Sequence, residues 1–128
     1  MYQFIPFNQD IDNKLSTSEL ITEFTNPDSQ YIKINLYAIM AKRLGEVEQN
    51  KIEEELMRDI VSKNNRREVF FGSIKWAWIP ILSILEYGNE KTKKSLNAFL
   101  KTNWTISEYT NLKEYLKSDK IFSSYFNE

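Results

Sequence analysis

The chain contains no cysteine and no histidine. These absences exclude disulfide bonds, thiolate nucleophiles and histidine general bases, together with the zinc, copper and haem sites that depend on either residue. Glycine and proline are scarce, with three of each in 128 residues. A fold rich in β-hairpins needs turn residues at intervals of roughly 8 to 12 positions, so this scarcity favours helices joined by short loops.

The overall composition is that of one soluble globular domain, which we expect to cover residues 1–128. Hydrophobic residues make up 41% and charged residues 27% of the sequence, and these fractions do not indicate disorder. The first ten residues, MYQFIPFNQD, lack the basic segment and the long apolar run of a signal peptide, so we expect a cytoplasmic protein. Charge is unevenly distributed: residues 1–60 hold 11 acidic and 6 basic side chains, whereas residues 61–128 hold 7 and 11.

The most apolar stretch of the chain is residues 69–87, VFFGSIKWAWIPILSILEY. Trp76 and Trp78 would lie on nearly opposite sides of an α-helix, so a helix here would be apolar all round. Such a helix has to be covered on every side. The stretch therefore predicts a central buried element around which the other helices pack.

A membrane span is the competing interpretation of this stretch. The charges of Lys75 and Glu86 and the break expected at Pro80 argue against insertion into a bilayer, and we expect no membrane association. Proline also lacks an amide donor and disfavours α geometry in the residue before it. We therefore expect a pair of buried helices with a kink or short break near Trp78 and Ile79.

Four capping boxes mark helix starts in the rest of the chain. In each box a Ser, Thr or Asn is followed three residues later by Glu, and the two side chains satisfy amides left free at a helix N-terminus. The pairs are Ser16 with Glu19, Asn50 with Glu53, Asn65 with Glu68, and Thr105 with Glu108. They predict helices over residues 17–25, 50–63 and 106–117 and the start of the buried pair.

Three further helix starts are indicated by single residues. An Asn-Pro pair at residues 26–27 predicts the start of a helix that ends at Leu44 before Gly45. Asn89 or Thr92 predicts the start of the next helix, and Asp119 that of a last short one. All of these signals together predict an all-α fold.

Two segments share one layout of helix, polar turn and helix: SELITEFTNPDSQYIKINLYAIMAKRL and IPILSILEYGNEKTKKSLNAFLKTNW. Residues 59–78 can be interpreted as a third copy. This layout resembles HEAT-like repeats, which pair two antiparallel helices across a short turn containing Asn, Asp or Pro. The resemblance covers about residues 16–117, although the usual paired Asp and Arg are missing and Gln30 and Lys33 stand near their expected positions.

The HEAT-like resemblance implies an all-α array of about six to eight helices in antiparallel hairpins around the central buried helix pair at residues 69–87. An irregular helical bundle is the alternative. In either architecture, stacked helices leave one long face free for a partner.

Six carboxylates fall within the fourteen residues between positions 46 and 59: Glu46, Glu48, Glu53, Glu54, Glu55 and Asp59. One interpretation is a solvated helix face, supported locally by ion pairs of Lys51 with Glu55 and of Glu54 with Arg58. The other is an acidic surface that binds a basic partner and speeds its association. Because the helical di-iron pattern requires histidine, and a hard-cation site normally draws on several helices or a dedicated loop, we expect no metal and no other cofactor.

The best candidates for nucleic-acid binding are basic residues of the C-terminal half: Lys91, Lys93 and Lys94, with Arg66 and Arg67. Trp104 and Tyr109 would supply stacking. The alternative is a solubilising face, and the chain is less basic than a face that binds duplex DNA, so nucleic acid is not the expected partner. In the first turn of a helix, where we expect them, the two arginines would be disfavoured by the helix dipole.

A small all-α protein with segregated charge and no catalytic residue types is typical of a protein-binding module and not of an enzyme. In size, composition and helical layout the chain resembles small cytosolic bacterial immunity proteins and antitoxins. That resemblance implies a heterodimer with a cognate toxin, often a basic nuclease, whose active site is covered by the acidic residues between positions 46 and 59. The alternative function is a HEAT-like nucleic-acid-binding or adaptor protein.

Overall fold

The computed structural model describes residues 16–25, 32–45, 49–72 and 74–126. Within them the chain is mostly helical, which confirms the all-α class. The helices are α1 (Thr17–Thr25), α2 (Ile32–Lys42), α3 (Gln49–Val61), α4 (Lys63–Arg67), α5 (Trp78–Tyr87), α6 (Glu90–Asn103), α7 (Ile106–Leu116) and α8 (Lys120–Ser123), and the strands are β1 (Val69–Phe71) and β2 (Ile74–Lys75). Single 3-10 turns, Arg43–Gly45 and Ser124–Phe126, follow α2 and α8.

The chain divides into two compact units, the first ending at Asn89 and the second beginning at Glu90. In the first unit α5 packs most extensively on α2, and α3 contacts both helices. Every α5 residue from Trp78 to Leu85 is buried, and the Ser83 hydroxyl donates a hydrogen bond of 2.8 Å to the carbonyl of Ile79. The second half of the predicted central element is therefore confirmed as a buried helix.

The first half of that element is a β-hairpin, so the predicted helix pair over residues 69–87 is wrong. β1 and β2 pair antiparallel, with Val69 opposite Lys75 and Phe71 opposite Ile74. Aromatic and β-branched side chains favour strands, and Gly72 takes a φ of +58°, which side chains with a Cβ rarely adopt. The interpretation of residues 59–78 as a third helical copy is wrong for the same reason.

The hairpin leads directly into α5 through a turn that is fixed by backbone hydrogen bonds. The amide of Trp76 donates to the carbonyl of Glu68 at 2.9 Å, and the amide of Ala77 donates to the carbonyl of Asn65 at 2.8 Å. Pro80 falls in the first turn of α5, where an amide has no helical partner to lose. The break in the apolar segment therefore lies at residues 76–77, close to its predicted place.

Two of the four predicted capping boxes are formed. The amide of Ser16 donates to Glu19 Oε1 at 2.8 Å, and the amide of Glu19 donates to Ser16 Oγ at 3.1 Å. Thr105 and Glu108 make the same pair of bonds at 2.9 and 3.1 Å. The predicted bounds of the first helix, residues 17–25, are confirmed.

The other two boxes are wrong. Asn50 lies inside α3, which begins at Gln49. Asn65 lies inside α4, whose N-cap is Ser62, with Ser62 Oγ accepting from the amide of Asn65 at 3.4 Å. The hydroxyl of the earlier residue satisfies the amide, so α4 starts three residues before the predicted position. The helix start predicted at residues 26–27 lies outside the described residues.

The second unit is built from α6, α7, α8 and the 3-10 turn that follows. Its largest buried apolar side chains are Leu96, Leu100, Trp104, Leu112, Leu116, Phe122 and Phe126. Asp119 begins α8 as predicted, because its Oδ1 accepts from the amide of Phe122 at 3.1 Å. No helix in the described part of the chain is long and apolar enough to cross a bilayer.

We expect Gly72→Ala to lower the free energy of unfolding by about 1 kcal/mol, because alanine is strained at positive φ. A Cβ at Gly72 would meet nothing within 4 Å, so the loss would come from the backbone alone. Gly72→Asn is the matched control and should lose less than half as much, since asparagine tolerates this conformation. Urea denaturation of the two variants measures the difference, and equal losses would contradict the backbone explanation.

Candidate partner-binding surfaces

The predicted acidic surface is divided by the structure into two parts. Glu54 is exposed and Glu53 is half-buried, and we call them the outer acids. Glu55 and Asp59 are only 4% and 8% exposed, and we call them the inner acids. All four lie on α3, whereas Glu46 and Glu48 lie outside the described residues.

Asp59 lies at the centre of a charged and aromatic cluster. Its Oδ2 is 3.1 Å from Lys33 Nζ and accepts a hydrogen bond of 2.7 Å from the Tyr37 hydroxyl. Lys33 Nζ lies 4.5 Å from the centre of the Phe24 ring, and Phe24 packs edge-on against Tyr37 with ring centres 5.4 Å apart. These four side chains, the Asp59 cluster, join α1, α2 and α3.

The surroundings of Tyr37 keep its hydroxyl protonated. Burial, and after it the negative charge of Asp59, raises the pKa of Tyr37 far above its ordinary value. The phenol therefore remains a hydrogen-bond donor to the carboxylate throughout the neutral pH range. Together with Lys33 it compensates the charge of Asp59 inside the first unit.

The other inner acid, Glu55, is compensated by the next turn of its own helix. Arg58 donates to Glu55 Oε1 at 2.7 Å, with the Glu55 side chain 6% and the Arg58 side chain 62% exposed. We expected Arg58 to pair with Glu54, but the structure pairs it with Glu55, three residues away. Both inner acids are thus engaged within the chain, and only the outer acids face solvent on the described part of the acidic segment.

The three predicted nucleic-acid-binding lysines of α6 differ in exposure. Lys91 and Lys94 are exposed. Lys93 is half-buried, with its Nζ 3.9 Å from Glu90 Oε2 and 5.9 Å from the centre of the Tyr125 ring. Lys93 is therefore engaged within the second unit, and two of the three lysines remain on the surface.

The two aromatic residues proposed for stacking are not both accessible. Trp104 is 7% exposed, so its faces are covered. Tyr109 is half-buried, its hydroxyl donates to Asn97 Oδ1, and the Nζ atoms of Lys101 and Lys113 lie 5.8 and 5.9 Å from its ring centre. The structure brings Tyr109 together with lysines that sequence reasoning did not single out.

The placement expected for Arg66 and Arg67 is wrong, because both lie in the last turn of α4 and not in the first turn of a helix. Basic side chains are favoured at that end by the helix dipole. Arg66 Nε also donates to the carbonyl of Val61 at 3.2 Å. These arginines therefore carry no local electrostatic cost that would call for a partner.

A groove of about 620 Å³ on the second unit was not predicted from the sequence. One wall is the face of α6 formed by Glu90, Lys94, Asn97, Ala98 and Lys101, and the other is Ser124 and Tyr125 of the last 3-10 turn. We call it the α6 groove. The predicted group of Lys91, Lys93 and Lys94 rests on adjacency in the sequence, whereas the helical spacing places Lys94 and Lys101 in the groove and leaves out Lys91 and Lys93.

Among the described residues no group of three or more carboxylates is placed to hold a metal ion. Comparison with known proteins gives no relative from which a function could be transferred. No protein-family model matches the chain, and no curated protein and no solved structure matches it.

We expect Asp59→Ala to lower the free energy of unfolding by about 3 kcal/mol, because it leaves Lys33 and Tyr37 without their shared acceptor. Glu54→Ala removes an exposed carboxylate from the same helix and should change stability by less than about 0.5 kcal/mol. Chemical denaturation of both variants gives the comparison. Ordinary surface substitutions change stability by about 0.5 kcal/mol or less. A loss below about 1 kcal/mol for Asp59→Ala would be close to that range, and it would show that the cluster does not hold the helices together.

The raised pKa of Tyr37 predicts a loss of stability at alkaline pH. A group whose pKa is higher in the folded than in the unfolded protein makes its full contribution to stability at pH values below its unfolded pKa, which is about 10 for tyrosine. Above that pH the contribution falls by about 1.4 kcal/mol per pH unit. In Tyr37→Phe this component is absent. We therefore expect the stability difference between wild type and Tyr37→Phe to be constant below about pH 9 and to shrink above about pH 10. A difference that stays constant to high pH would contradict the assignment.

Proposed function

We propose that this chain is a protein-binding module, and specifically a cytoplasmic immunity protein or antitoxin that forms a heterodimer with a cognate toxin and covers its active site. One observation supports the proposal most directly. The outer acids stand on a helix that is fixed by apolar packing and by the ion pairs of both inner acids; exposed Glu54 faces away from the packed side and half-buried Glu53 lies at its border. The outer acids therefore stand, beside exposed Lys51 and the largely exposed Arg58, on a surface that is already ordered before a partner arrives.

The order of α3 matters because binding is opposed by the entropy of fixing mobile groups. Ile52, Leu56 and Ile60 of α3 are completely buried. Because the packing and the ion pairs both fix the helix, Glu53 and Glu54 are held at defined positions, and a partner has only their side chains left to order. A pre-organised acidic face favours fast association with a basic protein.

The chemistry of the outer acids suits a basic nuclease as the toxin. A cleft that binds nucleic-acid phosphates presents lysine and arginine side chains, and carboxylates can occupy the same positions. Inhibition of this kind requires no catalytic group, cofactor or metal from the inhibitor. We also propose that α1 and α2 form a HEAT-like helical hairpin. The third copy, which was predicted at residues 59–78, is left out because it contains the β-hairpin.

The alternative of a nucleic-acid-binding protein has less support from the second unit. Trp104 is buried, and Lys93 is paired with Glu90. Exposed Lys91 and Lys94 form a small positive area, while retention on single-stranded nucleic acid normally combines a basic track with accessible aromatic faces. We therefore place the binding function on α3.

The first test is growth of a strain that expresses the toxin-sized domain encoded directly upstream of this gene, with and without the present protein. Rescue, with co-purification of the two chains, supports the proposal. A harmless upstream product, or killing that continues in the presence of this protein, would overturn it. Retention on heparin that is lost when Lys91, Lys93 and Lys94 are replaced by alanine would support the nucleic-acid alternative instead.

For the interface, we expect the double variant Glu53→Lys with Glu54→Lys to weaken toxin binding well over tenfold, because like charges would face each other. Isothermal titration calorimetry with the purified toxin domain measures the affinity. The matched control is Glu23→Lys with Glu114→Lys, which changes the net charge equally at exposed positions of α1 and α7. Equal weakening in the two double variants would mean that overall charge, and not the α3 surface, determines binding.

A further inference from the structure

Helix α4 and the outer face of the hairpin form a second charged surface in the first unit. Lys63 and Arg67 are exposed and stand four residues apart, so they lie on the same side of α4. Lys75 Nζ donates a hydrogen bond of 3.4 Å to the carbonyl of Arg67, which brings a third positive charge to the end of this helix. We call these three side chains, together with Val69, the α4–hairpin surface.

The positive charges of this surface are not compensated within the described part of the chain. Lys63, Arg67 and Lys75 form no ion pair with another described residue. Lys75 uses one of its three N–H donors on the neutral carbonyl of Arg67 and keeps the other two. Arg66 is left out of the surface, because it is half-buried and its Nε donates to the carbonyl of Val61. Three ammonium and guanidinium groups therefore remain for a partner.

Val69 adds an apolar contact to these charges. Its side chain is 49% exposed, and it and Ile106 are the large hydrophobic side chains that the described part of the chain leaves exposed. Val69 lies opposite Lys75 in the hairpin. Residues opposite each other in an antiparallel pair have their side chains on the same face of the sheet. The α4–hairpin surface therefore combines positive charge with an accessible aliphatic side chain.

Glu68 carries the next negative charge along the sequence, and the strand geometry places it on the other face of the hairpin. Its backbone is extended, with φ −80° and ψ 136°, and its carbonyl accepts the amide of Trp76 at 2.9 Å. Glu68 therefore continues the pairing of β1 by one residue. Successive residues of a strand point to opposite faces, so the side chains of Glu68 and Val69 lie on opposite sides of the hairpin.

The chemistry of this surface suits an acidic polypeptide better than a nucleic acid. Proteins that bind single-stranded nucleic acid normally add stacking on accessible aromatic rings to their phosphate contacts. Trp76 is only 7% exposed, and its ring packs edge-on against Phe70 with ring centres 5.0 Å apart. An exposed aliphatic side chain beside positive charges instead matches a segment that contains both carboxylates and apolar side chains.

We propose that the α4–hairpin surface binds an acidic segment of a protein partner. Carboxylates of that segment pair with Lys63, Arg67 and Lys75, and one of its apolar side chains packs on Val69. The charge of this surface is opposite to that of the outer acids on α3. The two surfaces therefore take partners of different chemistry, and this proposal does not depend on the proposed inhibition of a toxin.

The test is a titration of three fluorescein-labelled probes with the full chain, followed by fluorescence anisotropy at constant ionic strength. The probes are a short peptide of glutamate, serine and leucine, the same peptide with glutamine in place of each glutamate, and oligothymidylate. We expect saturable binding of the acidic peptide and at least about tenfold weaker binding of the glutamine peptide, because several charge pairs are lost together. If the two peptides bind equally, or neither binds, the proposal is wrong.

Variants then locate the binding on the α4–hairpin surface. Lys63→Ala and Arg67→Ala should each weaken binding of the acidic peptide about threefold to fivefold, as expected for one exposed charge pair, and Arg67→Lys should retain most of the affinity. Val69→Thr replaces a methyl group by a hydroxyl and should weaken binding about threefold. Lys91→Ala is the matched control, since Lys91 is exposed in the other unit and forms no ion pair with a described residue.

Equal weakening by Lys91→Ala and Arg67→Ala would overturn the proposal, because it would show attraction to the overall charge of the chain. Tighter binding of oligothymidylate than of the acidic peptide, with the same sensitivity to Arg67→Ala, would overturn it in favour of nucleic acid. Unfolding midpoints of the variants in urea, compared with wild type, show that a loss of binding does not come from a loss of folding.

Discussion

The carboxylate of Asp59 is the group on which the first unit depends. A buried charge is unfavourable unless it is paired and hydrogen-bonded, and here both requirements are met on α2, by Lys33 and Tyr37. Phe24 of α1 covers the same cluster through its contacts with Lys33 and Tyr37. The position of α3 relative to α1 and α2 is therefore set by polar geometry as well as by apolar packing. Any slippage of α3 along α2 would leave a charge uncompensated, which apolar contacts alone would not penalise so strongly.

This arrangement also determines which carboxylates of α3 are compensated within the chain. The buried face of α3 carries Ile52, Leu56 and Ile60. Glu55 and Asp59 extend this buried face, and their charges are compensated within the chain. A charge that is compensated inside the protein contributes little to the field outside. On the described part of the acidic segment, the carboxylates that are not paired with another described residue are therefore those of Glu53 and Glu54. For the proposed partner, the position of these two carboxylates and the total charge of the chain are thus separate quantities, and a charge-matched control distinguishes their effects.

Local signals in the sequence were sufficient where neighbouring residues decide the structure. Ser16 and Thr105 cap their helices as predicted because the capping box needs only residues three positions apart. The same rule misplaced the start of α4, since Asn65 met the pattern but Ser62 already supplied the hydroxyl. The hairpin was missed although its signal was present: VFF and IK flank a Gly-Ser pair, which is a turn signal between two strand-like runs. The apolar character of the whole segment outweighed it. The pairing of Asp59 with Lys33 joins residues 26 positions apart in sequence, and no local pattern predicts which lysine will meet which carboxylate.

In both units, charges that the sequence leaves open are compensated once the helices pack. On α3 the carboxylates near the core are paired internally, Asp59 with Lys33 and Tyr37 and Glu55 with Arg58. On α6 the half-buried Lys93 is paired with Glu90, and the buried Asn97 accepts the hydroxyl of Tyr109. Charge counted along the sequence assigns opposite signs to the two halves, but it does not show which charges are already compensated. Only burial and pairing show that, because both depend on contacts between residues that are distant in sequence.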